Sequence, residues 1–380
     1  MQHISKLPNV GTTIFTVMST LAKKHDAINL SQGFPNFKSD QKLIDLVIKA
    51  MNDGYNQYAP MLGALSLREA IATKFQNLYN STYSPEDEIV ITCGATQAIY
   101  TIISTFIHAD DEVILFKPAY DCYEPAIAVN GGKTIAIQLN YPAYSVNWEL
   151  VESAITSKTK MIIINTPQNP CGTIFSKEDM LELERITKNT NIIVLSDEVY
   201  EHMVYDGAEH QSACLFSNLK ERTFITASFG KTFHNTGWKL GYCCAPTALM
   251  KEFVKVHQFN VYCVNHPTQI AIAAYMNNAS TYNSLPSFFQ QKRDLFLDAI
   301  KNSKFKSIPT QATYFQVLDY SEITHENDVD YAKRLTIENG LAAIPLSVFN
   351  ENNLDEKVLR FCFAKTDDTL LKAAEILNTI

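Results

Sequence analysis

Short runs of apolar, largely β-branched residues punctuate the chain, and each is followed by a longer stretch with helical spacing. The clearest runs are IVIT (89–92), VILF (113–116), MIIIN (161–165), NIIVLSD (191–197) and TFITAS (223–228). Runs that are apolar at nearly every position suit strands covered on both faces. Their alternation with helical segments predicts βαβ units around a mostly parallel sheet. From about residue 275 the texture changes: SFFQQKRDLFLDAIKNS has helical spacing, while YFQVLDY and VLRFCFAK read as strands. The expected architecture is α/β, a three-layer αβα large domain over 41–275 and a smaller α+β domain over 276–380. The N-terminal segment, 1–40, is expected to join the smaller domain.

Open parallel sheets bind ligands beyond the carboxyl ends of their strands. Five features fall at such ends: GATQ after 89–92, KPAYDCY after 113–116, TPQNP after 161–165, Asp197 closing its own run, and SFGK after 223–226. Their shared position says more than any one of them.

Length and composition narrow the class. The 380 residues suit two domains, and 46% hydrophobic with 19% charged content is that of an ordinary globular chain. The net charge of −8, without basic blocks, argues against nucleic acid or an anionic membrane as partner. The N-terminus has no signal-peptide pattern, and Gly94 and Gln97 interrupt the longest apolar stretch, so a cytoplasmic protein with no membrane span is expected. Eight scattered cysteines without C-x-x-C read as reduced thiols, and nine histidines without H-E-x-x-H predict no metal site. Two G-K-T tripeptides fail as P-loops: Gly230-Lys231-Thr232 has Ile225, and Gly132-Lys133-Thr134 has Ile127, where the motif needs glycine. Asp110-Asp111-Glu112 reads as a solvated turn, and the aromatic stretch 253–262 mostly as packing.

SFGKTFHNTGWKLG (228–241) stands apart. An isolated lysine on a loop is ordinarily solvated. Here Lys231 sits in an apolar, hydroxyl-bearing turn, where burial or neighbouring cations would lower its pKa and free a nucleophilic amine. Ser228, Thr236 and Lys239 are donors suited to a phosphate.

This segment resembles the lysine signature of the class I/II aminotransferases that use pyridoxal 5'-phosphate, fold type I. The likeness spans nearly the whole chain, through LSQGFPNF, NQYAPMLGALSLREAI, NTPQNPCGTIF, SDEVYEH and LRFCFAK. GTTIFTVMSTLA, AINLSQGFP and LAAIPLSVF are similar to the kynurenine/glutamine aminotransferase-like branch, above all its bacterial methionine aminotransferases.

The resemblance implies a role for each matching residue. Lys231 would hold the cofactor as a Schiff base and move the substrate proton. Asp197 would keep the ring nitrogen protonated, and Tyr200 and Asn169 would bond the ring's phenolic oxygen. Gly94, Ala95, Thr96, Ser228 and Lys239 would hold the phosphate, and Tyr120 would stack on the ring. Arg360 would clamp the substrate α-carboxylate with Asn169 and Gly33, and Phe15 would line the side-chain pocket. Tyr58 would reach the phosphate of a partner subunit, which implies a homodimer.

The function so implied is ping-pong transfer of the α-amino group of methionine, or of another large apolar or aromatic amino acid, to a 2-oxo acid. No second arginine is evident for a dicarboxylate side chain. A kynurenine/glutamine-type aminotransferase with cysteine-conjugate β-lyase activity is the alternative.

Overall fold

The computed structural model describes residues 4–380. A seven-stranded sheet lies at its centre, in the order Ile89–Thr92, Gly241–Cys244, Thr223–Ser228, Ile193–Asp197, Thr159–Asn165, Glu112–Lys117, Lys133–Gln138. Gly241–Cys244 runs antiparallel to both neighbours, and every other pairing is parallel.

The apolar runs look continuous because alternate residues serve two separate cores. Ile114, Ile162, Ile164 and Val194 join one apolar cluster, while Val113, Leu115, Met161, Ile163 and Leu195 join the other. A strand's side chains alternate between faces, so a sheet covered on both sides needs apolar residues at both parities. Gly241–Cys244 escapes the sequence pattern because GYCC opens on glycine and has no β-branched residue.

A second sheet is antiparallel throughout, in the order Ile344–Pro345, Val358–Cys362, Phe315–Asp319, Lys306–Ser307. Strand Ile28–Asn29 pairs in parallel with Leu341–Ala342, and the Leu30 carbonyl accepts from the Cys362 N–H at 2.8 Å. The N-terminal segment is therefore built onto the C-terminal part of the chain. Helix Ile14–Lys24, which carries Phe15, starts at Thr13, whose hydroxyl accepts from the Thr16 N–H, and buries Met18 and Ala22.

Among the described residues no helix is long and apolar enough to cross a membrane, and no group of three or more His, Cys, Asp or Glu side chains could hold a metal ion. The turn at Asp110 is exposed and pairs with Lys133. The stretch 253–262 is packing only in part: Phe253 and His257 are buried, but Phe259 at the end of the same helix is 87% exposed.

Candidate active site

The strand ends converge on a cavity of about 140 Å³. Gly94, Ala95 and Thr96 line it at the start of helix Gly94–Phe106, with Ser228, Lys231 and Lys239 from the turn opposite. Tyr120, Asn169, Asp197 and Tyr200 complete the wall. Thr236, from the same turn as Lys239, lines it too, so eleven residues singled out from the sequence meet in one place.

Two glycines permit this approach. Gly94 adopts a φ of 73°, and the Lys239 Nζ lies 3.6 Å from where a Cβ at that position would stand. A Cβ on Gly241 would lie 2.5 Å from the Ala227 carbonyl oxygen and 2.9 Å from the Gly94 carbonyl carbon. Only glycine lets the lysine-bearing turn close on the helix start. That helix has no side-chain hydrogen bond at its N-cap, Cys93, and its first three residues line the cavity beside Lys239.

Lys231 lies on the short helix Phe229–Thr232. Its Nζ donates to the Gly33 carbonyl at 3.1 Å and stands 5.7 Å from the ring centres of Tyr200 and Tyr314. Burial pushes the amine down to about 8, with Arg360 and Lys239 acting in the same sense against Cys362 and Asp197. A useful fraction of Lys231 is therefore neutral near physiological pH.

Asp197 is buried at the end of its strand. The Tyr123 hydroxyl donates to Oδ2 at 2.6 Å and the Val199 N–H to Oδ1 at 3.3 Å; among the described residues the carboxylate has no ion pair. Burial pushes it up to about 6 against those hydrogen bonds. The Val199 contact is the turn-capping role such an aspartate commonly plays, but no helix follows it. Burial also raises the Tyr200 and Tyr120 phenols, which stay protonated.

Arg360 sits on Val358–Cys362, which has neighbours on both sides, so it is not an edge-strand surface residue; it is 1% exposed. Nη1 donates to Asn169 Oδ1 at 2.7 Å and Nη2 to the Ser31 carbonyl at 2.8 Å, while Nε has no partner among the described residues. The rings of Phe315 and Phe15 lie 3.9 and 5.3 Å from the guanidinium carbon. Phe15 and Gly33 thereby join the site. Tyr58 does not: it is 83% exposed, its ring edge meets Tyr262, and it lines a separate groove with His266.

Three contributors escape the sequence reading. Tyr123 bonds Asp197, Asn165 accepts from the Asn169 N–H at 2.8 Å, and the Tyr314 hydroxyl donates to the Gly33 carbonyl at 2.6 Å. All act on other site residues; Tyr123, close behind Tyr120 in KPAYDCY, and Asn165, closing MIIIN just before TPQNP, carried a signal of proximity, and Tyr314 carried none.

The family model "Aminotransferase class I and II" matches residues 25–377. The methionine aminotransferase of Escherichia coli is 44% identical over 377 residues, covering 99% of this chain and 98% of its own. Human kynurenine–oxoglutarate transaminase 3 is 33% identical, covering 99% and 90%. A solved E. coli structure, described as having a methionine aminotransferase function, superposes with a TM-score of 0.98 at 43% identity over the whole of both chains. Strand order, the convergent cavity and these likenesses agree: the chain belongs to the class I and II aminotransferases.

Proposed function

We propose that the cavity holds pyridoxal 5'-phosphate and that the protein moves the α-amino group of methionine, and of aromatic amino acids, to 2-oxo acids. The observation that carries this reading is the meeting, in one cavity, of a buried amine, a buried carboxylate with no ion pair among the described residues, and a helix N-terminus without a side-chain cap. These three suit, respectively, an aldehyde, a protonated ring nitrogen and a phosphate. When bound, the cofactor supplies an electron sink that makes the substrate α-proton acidic.

The chain's own groups do the rest. Lys231 Nζ would hold the cofactor and, once released, take the proton from the substrate α-carbon. Asp197 would keep a proton on the ring nitrogen, because a buried carboxylate gains most from an adjacent cation. Gly94, Ala95, Thr96, Ser228 and Lys239 would bind phosphate, Tyr200 and Asn169 the phenolic oxygen, and Tyr120 would offer the ring an aromatic face. Arg360, Asn169 and Gly33 would orient the α-carboxylate, where a planar guanidinium favours a bidentate grip. The amino group rests on the enzyme between two half-reactions, so kinetics are ping-pong. Tyr58, exposed with its ring edge against Tyr262, fits a homodimer in which it serves the partner's site.

An apolar donor is supported by the fate of the arginines. Of six, only Arg360 approaches the cavity. Arg185, Arg293 and Arg334 pair with carboxylates, and Arg68 and Arg222 bond backbone carbonyls. Within this chain none of the other five faces the cavity to grip a second carboxylate. Methionine aminotransferase and kynurenine transaminase relatives point the same way. Half-reactions with a panel of amino acids, followed by cofactor absorbance, test the reading. Methionine and phenylalanine are expected to outpace aspartate and glutamate, and the reverse order refutes the donor assignment.

A further inference from the structure

The five carbonyls from Leu30 to Phe34 are all taken by donors, and most of those donors come from one short stretch. Cys362 N–H holds the Leu30 carbonyl at 2.8 Å, and Arg360 holds that of Ser31 at 2.8 Å. Lys365 Nζ holds both the Gln32 carbonyl at 3.3 Å and the Phe34 carbonyl at 2.7 Å. Between them the Gly33 carbonyl accepts from Tyr314 and Lys231. Just beyond, Asn36 Oδ1 accepts from the Thr366 N–H at 2.7 Å. The strap 30–36 thus lies along 360–366, pinned at almost every residue, and among the described residues the Gly33 N–H has no acceptor.

Lys365 is the unusual member. It is 3% exposed and among the described residues forms no ion pair. A buried ammonium without a carboxylate is costly unless its protons are otherwise bonded. Here the charge is satisfied by the two carbonyls flanking Gly33 and by the Phe34 ring, 5.1 Å from Nζ.

We propose that Lys365 is a positioning residue for the substrate α-carboxylate: by gripping Gln32 and Phe34 it fixes the Gly33 backbone opposite Arg360. This rests on the Arg360–Gly33 carboxylate site proposed above. A single ammonium bridging two carbonyls sets where the strap stands, so losing it lets Gly33 drift from the guanidinium. Misplacement of that kind weakens binding of the group being held.

The test is calorimetric binding of 4-(methylsulfanyl)butanoate, which is methionine without its amine, to the cofactor-loaded enzyme. Lys365→Met is expected to weaken binding about tenfold, the scale of one charged hydrogen bond. Lys365→Arg, which keeps charge and donors, restores most of it, and Arg360→Lys weakens binding further. With methionine as substrate, KM rises in Lys365→Met while kcat changes little. If Arg360→Lys weakens binding but Lys365→Met binds like the parent, the Lys365 assignment is overturned and the carboxylate site stands. If Arg360→Lys also binds like the parent, the carboxylate site itself is misassigned. Should Lys365→Met fail to fold, Tyr314→Phe decides, because it removes the shorter of the two hydrogen bonds to the Gly33 carbonyl and leaves Lys365 in place: weakened binding supports the strap's role, and unchanged binding refutes it.

Discussion

Asp197 and Glu201 lie four residues apart and are both buried, yet their carboxyls are displaced in opposite directions. Burial pushes Asp197 up to about 6. Burial acts on Glu201 too, but the Lys74 ammonium and His202 outweigh it and hold that carboxyl down to about 2. The difference is the partner. Glu201 bonds Lys74 and accepts from the Tyr79 and Tyr242 hydroxyls at 2.8 and 3.2 Å. Asp197 accepts from a phenol and a backbone N–H and, among the described residues, forms no ion pair; Lys231 acts on it only from a distance. The paired carboxylate is part of the frame; the other, without an ion pair among the described residues, lines the cavity. Burial alone does not mark a functional acid, whereas burial with the counter-charge missing does.

The two acids therefore make opposite contributions to stability. Glu201's pKa is depressed from 4.5, so its stabilisation is present above that value and lost as pH falls toward 2. Asp197's pKa is raised from 3.8, so its ionised form carries a penalty that is absent below about 4 and complete above about 6.

The largest effect that would break the comparison comes from Lys231→Ala. Transamination should fall by about 10⁴-fold or more, because the variant loses both the attachment point and the proton carrier; a stopped assay with methionine measures it, and near-parental turnover would remove the site's centre. Next, Lys74→Met should cost about 3–5 kcal/mol in denaturant unfolding near neutral pH, since it strands a buried carboxylate. Asp197→Asn should do the reverse. The cofactor-free protein should gain up to about 3 kcal/mol above pH 6 and nothing below pH 4, while cofactor affinity and activity fall. Thermal melts across that range check the sign. Smallest, Tyr123→Phe removes one hydrogen bond worth about 1 kcal/mol. It should raise the Asp197 pKa further, visible as an upward shift of the acid limb in the pH–rate profile.

Much of this was legible in the chain. The apolar runs gave five of the seven strands of the large sheet, and the turn residues after them gave eleven cavity-lining positions, because βα units deliver strand ends to one edge. What was not legible were contacts between residues far apart in sequence. Nothing near Asp197 announces Tyr123, and nothing in YFQVLDY announces that Tyr314 bonds Gly33, 281 residues earlier. The lysine of LRFCFAK likewise shows its purpose only once the strap 30–36 is seen lying on it. Tyr58 is the converse case: its expected place is on a neighbouring subunit, and in the single chain it stands exposed.

The most direct test of the account is to load the protein with pyridoxal 5'-phosphate, reduce it with borohydride and map the modified peptide by mass spectrometry. A single stable label on Lys231, absent when methionine is added first, is the predicted result. A label spread over other lysines, or none, would contradict the claim that this cavity was built around that amine.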